Sequence, residues 1–208
     1  MSGKAAELIW PLVHAERQAL IADLGTLDRA QWEQESMLPG WSVHDVAAHL
    51  VDNALTTKPG FLRCLLAARF DFDRLNQRGI EAHRGASPGQ TLQRLRAVAR
   101  RTSGPPAAPA SRLVEEIVHG EDIRRAAGLE RQLPAPGAGA GHRLPGGDRQ
   151  SIGGARELAR RLQLVSADGN FVLGLGPQLR GARLDLLLRL TGRAVRPGAL
   201  SGPGLALR

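Results

Sequence analysis

The sequence predicts a mainly α fold, an antiparallel bundle of four helices followed by a small α+β region. Three observations carry this. Through residues 1–128, apolar residues recur at three- and four-residue spacing between clear turn signals. Residues 129–150 are dense in Gly and Pro and read as a linker. Residues 151–208 change to short runs of alternating polarity around an Asp-Gly turn signal.

The first helix is expected over about Ala5 to Leu24. Leu8, Leu12, Ala15 and Ala19, and beside them Ile9, Val13, Leu20 and Leu24, offer two adjacent apolar stripes. A short helical piece follows at Leu27–Trp32, then a Pro-Gly turn in Leu38-Pro39-Gly40-Trp41. Ser42 is a good N-cap for the second long helix, and Asp45 suits its positive first turn. Val46, His49, Leu50 and Asn53 share one face of that helix, so His49 points where the core residues point. Pro59-Gly60 interrupts, and an apolar stretch continues through Leu66. The third helix begins at Ser87-Pro88, with Leu92, Leu95 and Val98 inward, and ends at Gly104-Pro105-Pro106. The fourth runs from about Ser111 to Ala127, stopped by Gly128. Beyond the linker, Leu162–Val165 and Phe171–Leu173 are expected strands flanking Asp168-Gly169. Gly181–Leu190 reads as a helix and Gly204–Leu207 as a closing strand.

The chain has 208 residues, 42% hydrophobic and 23% charged, ordinary values for a folded protein. Collagen, a disulfide scaffold and wholesale disorder are excluded. No apolar run is long enough for a membrane span, and Met1–Trp10 lacks the apolar core of a secretory signal. The single cysteine, Cys64, fits a reducing cytoplasm and reads as a small core residue. Net charge is +8, yet Lys4 and Lys58 are the only lysines among 28 basic residues. An Arg excess beside abundant Ala, Gly and Pro fits GC-rich coding. The basic residues are scattered and aromatics reach only 3%, so stacking platforms for nucleic acid are scarce.

The chemistry concentrates in the fourth helix. Arg112, Glu115, His119 and Asp122 form one stripe, with Glu115 and His119 one turn apart. A carboxylate and an imidazole at that spacing grip one ion from two sides, and His49 is the natural third ligand. Two imidazoles and a carboxylate leave a coordination position open, the pattern of a catalytic site. The same spacing also occurs on solvated helix faces as an ordinary i,i+4 pair. Likewise, a lone His on an apolar face is often a core residue bonded to a backbone carbonyl. Asn53, one turn below His49, either lines the site or satisfies a backbone group. His44, in the first turn of its helix, is expected to face solvent. His14, His83 and His142 have no partner at ligand spacing. Arg124 and Arg125 read as solvated or paired with carboxylates.

Leu38-Pro39-Gly40-Trp41-Ser42-Val43-His44-Asp45-Val46-Ala47-Ala48-His49-Leu50 resembles the N-terminal signature of the mycothiol-dependent maleylpyruvate isomerase family, within the DinB-like superfamily. A second match is Glu115-Glu116-Ile117-Val118-His119-Gly120-Glu121-Asp122-Ile123-Arg124-Arg125, followed by Gly128. A looser one, Asp168 to Gly192 and then Leu200-Ser201-Gly202-Pro203-Gly204, resembles the family's small C-terminal domain. The resemblance implies a DinB-like metal-binding bundle over residues 1–128, a linker over 129–150 and a small α+β domain over 151–208. It implies a divalent metal, usually zinc, held by His49, Glu115 and His119, with Asp122 behind the ligands. It also implies mycothiol as a thiol cofactor and a small-molecule substrate. Metal binding deprotonates the thiol, and thiolate addition to a cis double bond permits rotation before elimination gives the trans isomer.

The expected function is therefore a cytoplasmic, metal-dependent isomerase or thiol transferase acting on a small, acidic substrate. Arg180, Arg183, Arg189 and Arg193 are available in the small domain to meet an acid. A first rival is a non-catalytic metal-binding or regulatory bundle, and a second, weaker one is a nucleic-acid binder. Gly137–Gly147 carries a separate expectation. With suitable GC-leaning codons, its neighbouring reading frame encodes an amphipathic helix, so the segment reads as a compensated frameshift, which the nucleotide sequence decides.

Overall fold

The structure, a computed structural model, describes residues 2–131, 158, 160–168 and 171–207. The chain divides into two compact units, Met1–Glu130 and Arg131–Arg208. The helical unit contains α1 (Ser2–Leu24), α2 (Arg29–Glu33), α3 (Val43–Leu55), α4 (Lys58–Ala67), α5 (Phe72–His83), α6 (Pro88–Val98) and α7 (Pro109–Ala126). The four expected long helices are α1, α3, α6 and α7. α1 packs on α6 and α7, while α3 packs on α5, α6 and α7. Their shared core holds Leu20, Leu24, Val46, Leu50, Leu95 and Ile123, and Trp32 closes it from α2.

Local signals explain the boundaries. Asp28 and Gln31 form a capping box that starts α2 two residues later than the periodicity suggests. Ser42 accepts from the Asp45 amide and Asp45 returns the bond to the Ser42 backbone, so α3 starts where the sequence places it. At α4 the Pro-Gly pair acts differently from expectation. Thr57 caps the helix and Pro59 sits in its first turn, where its missing N–H costs nothing, so the pair starts a helix instead of breaking one. α5, capped by Asp71, is an addition to the expected set. It fits α3 closely, since a Cβ at Gly79 would collide with the Asp52 carboxylate.

Two burial expectations are corrected. α4 buries none of its residues, and Cys64 is exposed on it instead of lying in a core. On α1 the buried apolar residues among those described are Val13, Leu20, Ile21 and Leu24, and Leu8 is 73% exposed. The buried face of α1 continues through Glu16 and Arg17, which lie in phase with Val13 and Leu20.

The small unit is a four-stranded sheet of order β2-β1-β3-β4, from β1 (Gln163–Ser166), β2 (Val172–Leu173), β3 (Gln178–Gly181) and β4 (Leu200–Ser201). β1 pairs antiparallel with β2 and parallel with β3, and β3 pairs antiparallel with β4. Helix α8 (Arg183–Leu190) sends Leu186 and Leu190 into a core with Leu162, Leu164, Leu179 and Leu200. Gly181 ends β3 instead of beginning the helix, since it pairs with Leu200 of β4, so closely that a Cβ would have no room. The expected closing strand at Gly204–Leu207 is a 3₁₀ turn over Pro203–Ala206, since Gly202 turns at φ 104° and Pro203 donates no strand bond. Among the described residues, no helix is long and apolar enough to cross a membrane. His142 and the expected frameshift at Gly137–Gly147 lie outside the described residues.

Candidate metal centre

α3 and α7 run side by side, and the His49 face of one meets the Glu115–His119 face of the other. One ligand atom from each of His49, Glu115 and His119 falls within 4.8 Å of the others. The two imidazole rings stand 5.0 Å apart, close to perpendicular. Trp41, from the Pro-Gly turn, sets its ring edge against His49 at 5.1 Å. That turn is pinned to α7, because the Met37 amide donates to the Asp122 carbonyl at 3.2 Å. So the Leu38–Trp41 turn, the start of α3 and the middle of α7 form one corner.

Hydrogen bonds orient the site. His119 Nδ1 donates to Asp122 Oδ2 at 3.1 Å, and Asp122 is fully buried. His119 Nε2 lies 3.2 Å from Glu115 Oε2. Asn53 Nδ2 donates to His49 Nε2 at 3.0 Å, so of the two expectations for Asn53 its side chain meets the candidate ligand and not a backbone group. His49 Nδ1 is buried with no hydrogen-bond partner among the described residues. With its Nε2 accepting, the neutral ring must carry its proton on Nδ1, where nothing receives it. Reversing the Asn53 amide would free that nitrogen's lone pair instead. Either way a buried ring nitrogen is left unsatisfied, which native interiors rarely tolerate without a function.

The charges follow from burial and pairing. Burial, then the neighbouring His119 charge, depresses His49 to about 3, so it is neutral. Burial would raise Glu115, but the hydrogen bond and charge of His119 outweigh it and hold Glu115 at about 2. Burial opposes the charge on His119, yet Asp122 and Glu115 outweigh it and bring His119 to about 9. The metal-free site therefore holds a neutral imidazole, a carboxylate and a proton trapped between two carboxylates. Exchange of that proton for a divalent ion would leave two neutral imidazoles and a carboxylate, a donor set suited to zinc and several other ions. The residues present fit such an ion.

Other predicted residues fall elsewhere. His44 is 2% exposed, against the expectation of solvent. Its Nε2 meets Thr91 Oγ1 at 2.7 Å and its Nδ1 meets Glu33 at 3.4 Å, so both nitrogens have partners inside the bundle. His83 faces Asp52 at 3.4 Å, away from the centre. Arg124 is 1% exposed, with Nε on Asp23 at 2.6 Å and Nη1 on Glu16 at 2.9 Å. Arg125 meets Glu121 at 3.4 Å. In the small unit, Arg183 pairs with Asp168, Arg189 binds the Leu207 carbonyl and Arg193 binds the Thr191 carbonyl. Sequence reasoning missed the buried pair of Arg17 and Glu116, whose side chains meet at 2.7 Å beside the centre. The signal was present, since Arg17 shares the helical phase of Val13 and Leu20.

Two histidines and a glutamate thus converge between two helices of a bundle, a grouping that could hold a metal ion. The family model described as the mycothiol maleylpyruvate isomerase N-terminal domain matches residues 13–125, and the chain belongs to this family. Two solved structures resemble it across 95% of this chain and 92% of theirs. One is a mutant of the mycothiol-dependent maleylpyruvate isomerase, at 14% identity and TM-score 0.54. The other is that isomerase itself, at 13% identity and TM-score 0.50. At this distance they establish the shared fold. No curated protein matches the chain.

Proposed function

We propose that this protein is a metal- and thiol-dependent enzyme, an isomerase or thiol transferase acting on a small organic acid, with mycothiol as the fitting thiol. The observation that carries the reading is the convergence of His49, Glu115 and His119, with a buried ring nitrogen left unsatisfied among them. Family membership and the isomerase named among the similar structures support it. In this reading residues 1–128 carry the reaction centre, and the setting is a reducing cytoplasm.

His49, Glu115 and His119 would hold a divalent ion, with zinc the best match to the donors. Such an ion supplies Lewis acidity and lowers the pKa of a bound thiol. The rest is done by the chain. Asp122 accepts a hydrogen bond from His119 Nδ1–H and so fixes that ring's orientation and tautomer. Asn53 fixes the turn of the His49 ring. Trp41 covers His49 from the loop side and keeps water from that face. Glu115 stays ionised because its neighbours hold its pKa low.

The test is turnover. Zinc-loaded protein is incubated with a low-molecular-weight thiol and maleylpyruvate, and cis–trans conversion is followed by absorbance. Conversion that needs both thiol and metal is expected. Stoichiometric metal binding without any thiol-dependent conversion of acid or thiol adduct would leave a metal-binding module in its place.

A further inference from the structure

Arg112 lies on α7 one turn before Glu115 and two before His119. It is 8% exposed. Its side chain makes no hydrogen bond and no ion pair with a described residue, and its Nε is wholly enclosed without a partner. Its stem runs against Gly104, where a Cβ would stand 2.9 Å from Arg112 Cδ, so the backbone there leaves space for the side chain. The carboxylates whose charge reaches it are already engaged. Glu115 is held by His119 at 3.2 Å and Glu116 by Arg17 at 2.7 Å. Its own charge is felt at His49, so the guanidinium belongs to the same corner of the bundle.

Burying a guanidinium without a direct partner is costly, and proteins normally supply a carboxylate or carbonyl at each fork. Among the described residues none is supplied. Arg17 and Arg112 stand against Glu115, Glu116 and Asp122, so a divalent ion on neutral imidazoles would leave the corner with one excess positive charge. A carboxylate from outside answers both features, because it accepts two parallel N–H bonds from one guanidinium.

We propose that Arg112 is the carboxylate-binding residue of this centre, gripping a small organic acid beside His49, Glu115 and His119. The assignment rests on reading that cluster as the reaction centre. It narrows the substrate class to acids with a carboxylate a short distance from the reacting carbons.

The experiment uses the full chain as wild type, Arg112→Lys and Arg112→Gln. Zinc affinity is measured first, by competition with a chelator. Maleate is then titrated calorimetrically into zinc-loaded and metal-free protein, and N-acetylcysteine serves as a thiol that carries its own carboxylate. Loss of a charge-assisted bond should weaken maleate binding roughly tenfold to a hundredfold in Arg112→Gln. Arg112→Lys should keep part of the affinity. Zinc affinity should change little, and the thermal midpoint of Arg112→Gln should hold or rise, since an unpaired buried charge is removed. Equal maleate affinity in wild type and Arg112→Gln, or no maleate binding by wild type, overturns the proposal. So does an effect confined to N-acetylcysteine, which would assign Arg112 to the thiol. A lower thermal midpoint with unchanged maleate affinity would make Arg112 structural. Failure to bind zinc, with Arg112-dependent maleate binding intact, would remove the metal reading and leave this one standing.

Discussion

Two faces of α7 handle buried charge in opposite ways. On the side toward α1, charges meet directly. Glu116 takes Arg17, and Arg124 takes Glu16 and Asp23, so ion pairs cross between the helices in both directions. Glu116 Oε2 and Arg124 Nη2 have no hydrogen-bond partner among the described residues, yet each residue has its ion pair. On the side toward α3, His49 Nδ1 and Arg112 Nε are buried without a hydrogen-bond partner among the described residues. The first face binds the bundle together from within. The second keeps donors and charge in reserve, and buried groups left so are where function is expected.

The contrast is broken most severely by cutting the paired face. Arg124→Ala would remove the ion pairs to Glu16 and Asp23 that tie α7 to α1, while Glu121 keeps Arg125. Removing one partner of a buried pair costs about 3–5 kcal/mol, so a large fall in chemical-denaturation stability is expected. A change within error would mean that the α1–α7 pairs contribute nothing.

The open face should respond to pH. His119 rises from 6.5 to about 9 in the metal-free protein. Its stabilising share is therefore full below pH 6.5 and is lost as pH rises through about 9. The same proton competes with metal, so zinc affinity should climb steeply with pH up to about 9. Binding at neutral pH should release a proton, seen calorimetrically as a dependence of heat on the buffer used. Zinc affinity independent of pH between 6.5 and 9 would contradict the trapped proton.

Asp122→Asn is next. Loss of the partner behind a ligating imidazole should weaken zinc binding roughly tenfold to a hundredfold, with little change in fold. Competition with a chelator reads it, and an unchanged affinity would mean that Asp122 only closes the core. Smallest is Ser42→Ala. Loss of this cap should cost about 1 kcal/mol in urea unfolding and leave zinc affinity alone, because it acts on helix formation and not on donors.

The legible parts of this chain were those written in local signals. The Ser42–Asp45 box, the inward phase of His49 and the spacing of Glu115 and His119 each sit within two helical turns. What escaped depended on distant partners. His44 is buried because Thr91 and Glu33 meet both its nitrogens, and Thr91 lies 47 positions away. Glu16 and Arg17 look like solvent residues until Arg124 and Glu116 come to meet them. α5 was missed because few of its residues are apolar and only Gly79 and Ile80 are buried. Cys64 misled for the reverse reason, since an apolar run on α4 need not be covered.

The central claim is that the open face of α7 and His49 hold a metal ion. The most direct measurement is zinc titration of purified wild type beside His119→Ala, with circular dichroism confirming that both are folded. The account predicts one tightly held ion per chain in wild type and its loss in the variant, with helix content kept. No ion bound by wild type after reconstitution, or equal binding by His119→Ala, would contradict it.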